Sequence, residues 1–171
     1  LRKALLAAAP AQAWSAALPP TPDYQTRVEA TAVPQDLKPG FYFVLASLRE
    51  DFREGDNIIS AAPVWVSDLA LVTRSRMNDN LLDGFVLRAG GGEPVAGASV
   101  QVWTRDQRRD VFALSETVAT DVQGRFGIRR AGERSVRLLV RHEAHQVASG
   151  DFWLQRGQNR DAQERTVFFT D

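Results

Sequence analysis

The sequence predicts an all-β protein made of two consecutive antiparallel β domains. Three observations lead there. Apolar or alternating runs of strand length recur along the chain, Gly, Pro, Asn, Asp or charged residues separate them, and after a polar stretch at Thr73–Asp83 the whole pattern restarts. Composition sets the outer limits. The 171 residues include 21 Lys+Arg and 21 Asp+Glu, so the formal charge is zero, with 44 % apolar and 25 % charged residues. That is globular rather than disordered composition. The length admits one large domain or two small β domains. Zero net charge argues against a nucleic-acid partner, which needs clustered cations. No apolar stretch reaches the ~18 residues of a membrane span. The absence of cysteine removes thiol nucleophiles, disulfides, iron–sulfur sites and Cys-ligated zinc.

The ends look cut, and a fragment of a longer protein is expected: the chain opens on Leu1 and stops at Asp171, directly after the strand-like Thr166–Phe169. Near the start, Arg2 and Lys3 precede Leu5-Leu6-Ala7-Ala8-Ala9, and Ala11-Gln12-Ala13 has the small-x-small form of a signal cleavage site. Pro10 interrupts that apolar core. The alternative is a short Ala-rich helix or an irregular segment, with Trp14 and Leu18 packing on the chain beyond them. Pro19-Pro20-Thr21-Pro22 then enforces an extended connector.

From Tyr24 to Thr31, apolar or small residues alternate with Gln25, Arg27 and Glu29, which reads as a strand with one wet face. Phe41–Ala46 follows the Pro39-Gly40 turn signal and is continuously apolar, which predicts a central strand buried on both faces. Arg49–Asn57 has seven charges or amides in nine residues and reads as an exposed loop. Ile58-Ile59 starts a short strand, and Val64–Val72 is another, with a bulge or an edge position at Ser67-Asp68. Thr73–Asp83 is expected to be a linker and a hinge. Beyond it, Phe85–Ala89, Ala98–Trp103, Val111–Val118, Phe126–Ile128, Ser135–Arg141, Val147–Leu154 and Arg165–Phe169 read as strands, and Asp121-Val122-Gln123-Gly124 suits a type I turn. About seven short strands in roughly ninety residues is the spacing of an immunoglobulin-like sandwich.

The search for chemistry is nearly empty. In His142-Glu143-Ala144-His145 the histidines are spaced i, i+3, whereas zinc-protease helices need i, i+4. On a strand the two face opposite sides, so only a turn brings them together. An exposed polar turn is favoured over a metal-dependent enzyme using His142 and His145. Gly90-Gly91-Gly92 is followed by Glu93-Pro94 and a strand, so it reads as a flexible loop rather than a phosphate cradle. Ser67-Asp68, Ser115-Glu116 and Ser149-Gly150-Asp151 lack a nucleophile elbow. Arg105, Arg108, Arg109, Arg129, Arg130, Arg134, Arg137 and Arg141 are interspersed with acids, as on a solvated sheet face. Trp14, Trp65, Trp103 and Trp153 lie on or beside apolar runs and read as packing residues. No catalytic, cofactor-binding or metal-ligating residue and no cofactor is assigned.

Several blocks taken in order carry a resemblance: Leu37-Lys38-Pro39-Gly40-Phe41-Tyr42-Phe43-Val44, Trp65-Val66-Ser67-Asp68-Leu69, Gly92–Trp103, Thr120-Asp121-Val122-Gln123-Gly124-Arg125-Phe126, and the closing Phe168-Phe169-Thr170-Asp171. From about Trp14 onward the chain resembles the N-terminal macroglobulin-like domains of bacterial α2-macroglobulins, most closely those of Bacteroidetes type. The blocks Gly92–Ala98 and Thr120–Phe126 also occur in carboxypeptidase-regulatory-like and transthyretin-type sandwiches. The resemblance implies macroglobulin-like sandwiches over 1–73 and 74–171, the first with or without its opening strands. It implies non-catalytic scaffold domains of a large periplasmic or cell-surface protein that traps proteases. Their partners would be neighbouring domains of the same chain, with proteases as targets of the parent. Full-length members often carry a Cys-x-x-Gln thioester, which this cysteine-free chain cannot hold. The rival reading is a free-standing sandwich module for binding or adhesion.

Overall fold

A computed structural model describes residues 2–20, 26–34, 36–76, 81–106, 110–129 and 134–154. Among the described residues its regular structure is β apart from one short helix, and every paired strand is antiparallel. The chain forms two compact units, Leu1–Val66 and one beginning at Ser67.

In the first unit, helix α1 (Arg2–Ala7) takes up the Leu- and Ala-rich start, where helix propensity is highest, and ends before Pro10. Strands β1 (Gly40–Ser47) and β2 (Ile59–Val66) pair over their full length, from Gly40↔Val66 to Ser47↔Ile59. Phe41 stands opposite Trp65 with ring centroids 4.6 Å apart, and Phe43 meets Phe41 edge-on at 5.1 Å. Such cross-strand aromatic contacts are what a two-stranded sheet, marginal by itself, relies on. Pro63 lacks an N–H for a ladder and is tolerated on this outer strand. The charged loop between the strands is exposed, as its composition predicts, and is tied at its base by the Asn57 amide donating to Ser47 Oγ at 3.0 Å and to the Arg53 carbonyl at 2.7 Å.

Several sequence expectations change here. Residues 26–31 form no strand, and Val28 is 94 % exposed; Tyr24 and Gln25 lie outside the described residues. Alternation gains nothing where no neighbouring strand accepts it. Phe41–Ala46 is not covered on both faces: residues 42–45 are half-buried and Phe41 and Ala46 are exposed, in a sheet of two strands among the described residues. Trp14 and Leu18 are exposed.

The second unit is a sandwich. One sheet holds β3 (Leu69–Arg76), β4 (Leu81–Arg88) and β7 (Arg125–Arg129) in the order β3-β4-β7. The other runs β10-β8-β5-β6, from β5 (Ser99–Asp106), β6 (Val111–Ala119), β8 (Arg134–His142) and β10 (Phe152–Leu154), with β9 (His145–Ala148) also on β8. In antibody constant domains the fourth strand joins the first sheet; here β6 stays on β5. Alternate residues of both sheets meet in one core: Leu82, Val86 and Ile128 from the first, Val100, Val102, Val136, Leu138 and Val140 from the second, each at 1 % exposure or less.

Thr73–Asp83, expected as a linker, is a hairpin. Its residues 73–76 and 81–83 lie in β3 and β4, with Arg74 opposite Asp83 in a salt bridge of 2.8 Å. The strand expected over Val64–Val72 is two strands, β2 and β3, parted at Ser67-Asp68 where the second unit begins. The expected strand Val147–Leu154 is likewise split into β9 and β10 by Ser149–Asp151. Arg165–Phe169 lies outside the described residues.

Candidate functional site

Two of the blocks that carry the resemblance, Gly92–Trp103 and Thr120–Phe126, meet where the chain crosses between the sheets. Thr120, only 6 % exposed, accepts the Ala98 N–H at 2.8 Å through its hydroxyl and donates to the Val95 carbonyl at 2.6 Å. Its backbone N–H bonds the Ala98 carbonyl, and its carbonyl accepts the Gly97 N–H, both at 3.0 Å. Asp121 starts the expected turn. Its carbonyl accepts the Gly124 N–H, and its carboxylate accepts the Gln123 and Arg125 N–H groups, all at 2.9 Å. Gly124 has φ +71, and a Cβ there would lie 2.6 Å from the Val86 carbonyl oxygen. Its own carbonyl accepts the Val86 N–H at 2.8 Å, and the Val86 carbonyl in turn accepts the Val95 N–H at 2.9 Å. Phe126 then enters the core against Gly84. The Thr120 hydroxyl satisfies the Ala98 N–H and the Val95 carbonyl, which would otherwise be buried unpaired, while the Asp121 carboxylate shapes an exposed turn.

The second cluster is at the β8–β9 hairpin. A two-residue turn, Glu143-Ala144, places His142 directly opposite His145. Glu143 takes φ +53. The rings therefore come together only through a turn, as the spacing requires, but both are half-buried rather than exposed. His145 Nδ1 accepts the Asp68 N–H at 3.0 Å, which takes that nitrogen out of use as a ligand. The Asp68 carboxylate is 3.4 Å from Arg88, whose guanidinium is 3.7 Å from Glu143. No three His, Asp or Glu side chains converge to hold a metal ion among the described residues.

The other candidates are accounted for locally. Gly90–Gly92 is a turn leading into the Leu87↔Pro94 bridge, closed by Gly92 N–H to the Arg88 carbonyl and Arg88 N–H to the Glu93 carbonyl; no helix N-terminus follows. Ser115 is the extra residue of a β-bulge where Val102↔Glu116 gives way to Trp103↔Leu114. Ser67 Oγ accepts the Leu69 N–H, and Ser149 Oγ accepts the Leu138 N–H. Arg137 is paired with Asp151 and lies 4.1 Å over the Phe112 ring. Their hydrogen bond is the main cause holding the Asp151 carboxyl below, and the guanidinium above, its ordinary range. Arg105 pairs with Asp110. Arg129 and Arg141 are exposed; Arg108, Arg109 and Arg130, and the side chains of Arg134 and Trp153, lie outside the described residues. Trp65 packs on Phe41, and Trp103 is half-buried on the outer face of β5. Sequence reasoning misses Asp68 and Arg88 as partners of the histidine hairpin, because the pairing is non-local. It picks out Thr120–Phe126 without its mechanical part.

No family model matches this sequence, and no curated protein does. Among solved structures, the chain is similar to native alpha-2-macroglobulin from Escherichia coli spanning domains NIE-MG1, with a TM-score of 0.47 and 15 % identity. The likeness covers 66 % of this chain and 49 % of that one, about half its length. At that score it adds nothing to the strand pairing, on which the fold rests. No helix of the described residues is long and apolar enough to cross a membrane.

Proposed function

We propose that the chain supplies two consecutive non-catalytic frame domains to a larger envelope protein of the α2-macroglobulin type, which traps proteases in the periplasm or at the cell surface. One observation carries the reading. The resembling blocks keep their order across both units: Trp65–Leu69 spans the junction where the second unit begins at Ser67, and Gly92–Trp103 and Thr120–Phe126 follow inside that sandwich. Two β units in succession along one chain fit a frame of tandem domains. The partners on this reading are adjoining domains of the parent chain, and the proteases are the parent's targets.

The test is an immunoblot of cell-envelope extract with antibodies to this chain, with and without added protease. A band many times larger than 18.9 kDa, clipped once and then resistant, supports the proposal. A band near 18.9 kDa overturns it and favours a free-standing binding module.

A further inference from the structure

We propose that His145 is a proton-sensitive latch that ties β9 to the first residues of the second unit and lets go on acidification. The latch spans 77 positions of sequence: Asp68 N–H donates to His145 Nδ1 at 3.0 Å. A backbone amide only donates, so the contact exists only while Nδ1 carries no proton. Protonation sets two donors against each other. Neither backbone can shift to relieve the clash, which leaves rotation of the ring. Asp68 is pinned by its carbonyl, which accepts the Ala89 N–H at 2.9 Å, and His145 by its pairing with His142 across the tight turn. Imidazole is the side chain whose ordinary titration falls within pH 5 to 8.

The surrounding charges do not rescue the imidazolium. The Asp68 carboxylate faces Arg88 at 3.4 Å, and Glu143 faces the same guanidinium at 3.7 Å. His142 Nδ1 stands 4.0 Å from Glu143, a further claim on that carboxylate. Arg141 is exposed, and strand alternation puts it on the opposite face of β8. Both nearby acids are thus shared with a permanent cation, and the ring is left to turn out toward solvent. Asp68 is the second residue of its unit, so the latch adds a second tie, beside the Ala89 bond, at the residues where the unit begins. The inference is independent of the frame reading.

Amide hydrogen exchange on the whole chain, at about pH 8 and about pH 5 and corrected for intrinsic rates, tests it. The reference is the Val86 amide, which bonds the Gly124 carbonyl in the same unit. Acidification should speed exchange of the Asp68 amide relative to Val86 by about tenfold, the scale of one net hydrogen bond. His145→Asn puts a carbonyl oxygen where imidazole carries Nδ1 and removes the titration, so the response should vanish; His142→Asn should retain it. An Asp68 amide that does not respond, responds equally in His145→Asn, or loses its response in His142→Asn overturns the latch. Ring nitrogen NMR of the unmodified chain is a second, independent test at neutral pH. A proton on Nε2 with bare Nδ1 supports the proposal, and a proton on Nδ1 refutes it.

Discussion

Thr120→Val isolates the contribution of the inter-sheet node. Valine keeps the shape of threonine but can neither accept the Ala98 N–H nor donate to the Val95 carbonyl. Ala98 is 0 % and Val95 3 % exposed, so water does not replace the lost partner of either backbone group. Each buried, orphaned group costs ~1–3 kcal/mol. The backbone bonds of Thr120 to Ala98 and of Gly97 to Thr120 hold the strands in place and prevent relaxation, so a loss of about 3 kcal/mol is expected. Thr120→Ser keeps both hydrogen bonds and loses one methyl, at ~1 kcal/mol. For a domain of this size, each kcal/mol lowers the melting temperature by roughly 4–8 °C. Thermal melts and urea titrations of the two variants should therefore differ by roughly 8–16 °C, with valine the less stable. A valine variant within ~0.5 kcal/mol of serine would refute the claim that this hydroxyl holds the sheets together.

Three further outcomes are expected. Gly124→Ala, strained at φ +71 and pressed on the Val86 carbonyl, should cost about 3 kcal/mol, against ~1–2 kcal/mol for Gly97→Ala, which has the same φ and open space; equal urea midpoints would argue against the close approach. Leu138→Ala, in a fully buried position, should cost ~2–5 kcal/mol, while Leu114→Ala, at 50 % exposure, should stay within ~0.5 kcal/mol by the same titration. Because the Arg137 hydrogen bond lowers the Asp151 pKa on folding, its stabilisation is present above the ordinary Asp value of 3.8 and is lost as pH falls through the folded value. The stability gap between the unmodified chain and Asp151→Asn should accordingly be small at neutral pH, where solvent screens the pair, and should close below about pH 4. A gap that does not vary with pH would contradict this.

The second unit was legible because its strands have one wet and one dry face. Val100 and Val102 flank Gln101, and Val136, Leu138 and Val140 alternate with Ser135, Arg137, Leu139 and Arg141; Val100, Val102, Val136, Leu138 and Val140 all end in the core. Asp121–Gly124 was legible because turn chemistry is local. Thr73–Asp83 misled because its polar residues decorate the outer face of a hairpin: Arg74 and Asp83 look like linker composition until they are placed opposite each other. The break at Ser67-Asp68 interrupts a run that is apolar on both sides. What enforces it is non-local, the bonds from Asp68 to His145 and to Ala89. The spacing of the histidines correctly denied them a shared helix face. It carried no sign that one imidazole would cap an amide 77 positions away.

The node also explains why its motif is a poor guide to function. A chain that crosses between two sheets at this point must satisfy the Ala98 N–H and the Val95 carbonyl, reverse direction within four residues, and admit the Val86 carbonyl beside its turn. A buried hydroxyl, an Asx-type turn and a glycine at positive φ meet those demands in order, and Phe126 then seals the core. The demands belong to the sandwich itself, so they recur wherever such a sandwich is built, whatever it binds. Thr120–Phe126 thus accounts for how the second unit keeps its shape, and what distinguishes this chain in function has to lie in groups the sandwich does not require. Asp68, Arg88, Glu143 and the two histidines are such groups: the core closes without them, and yet they hold the edge strand to the residues where the unit begins.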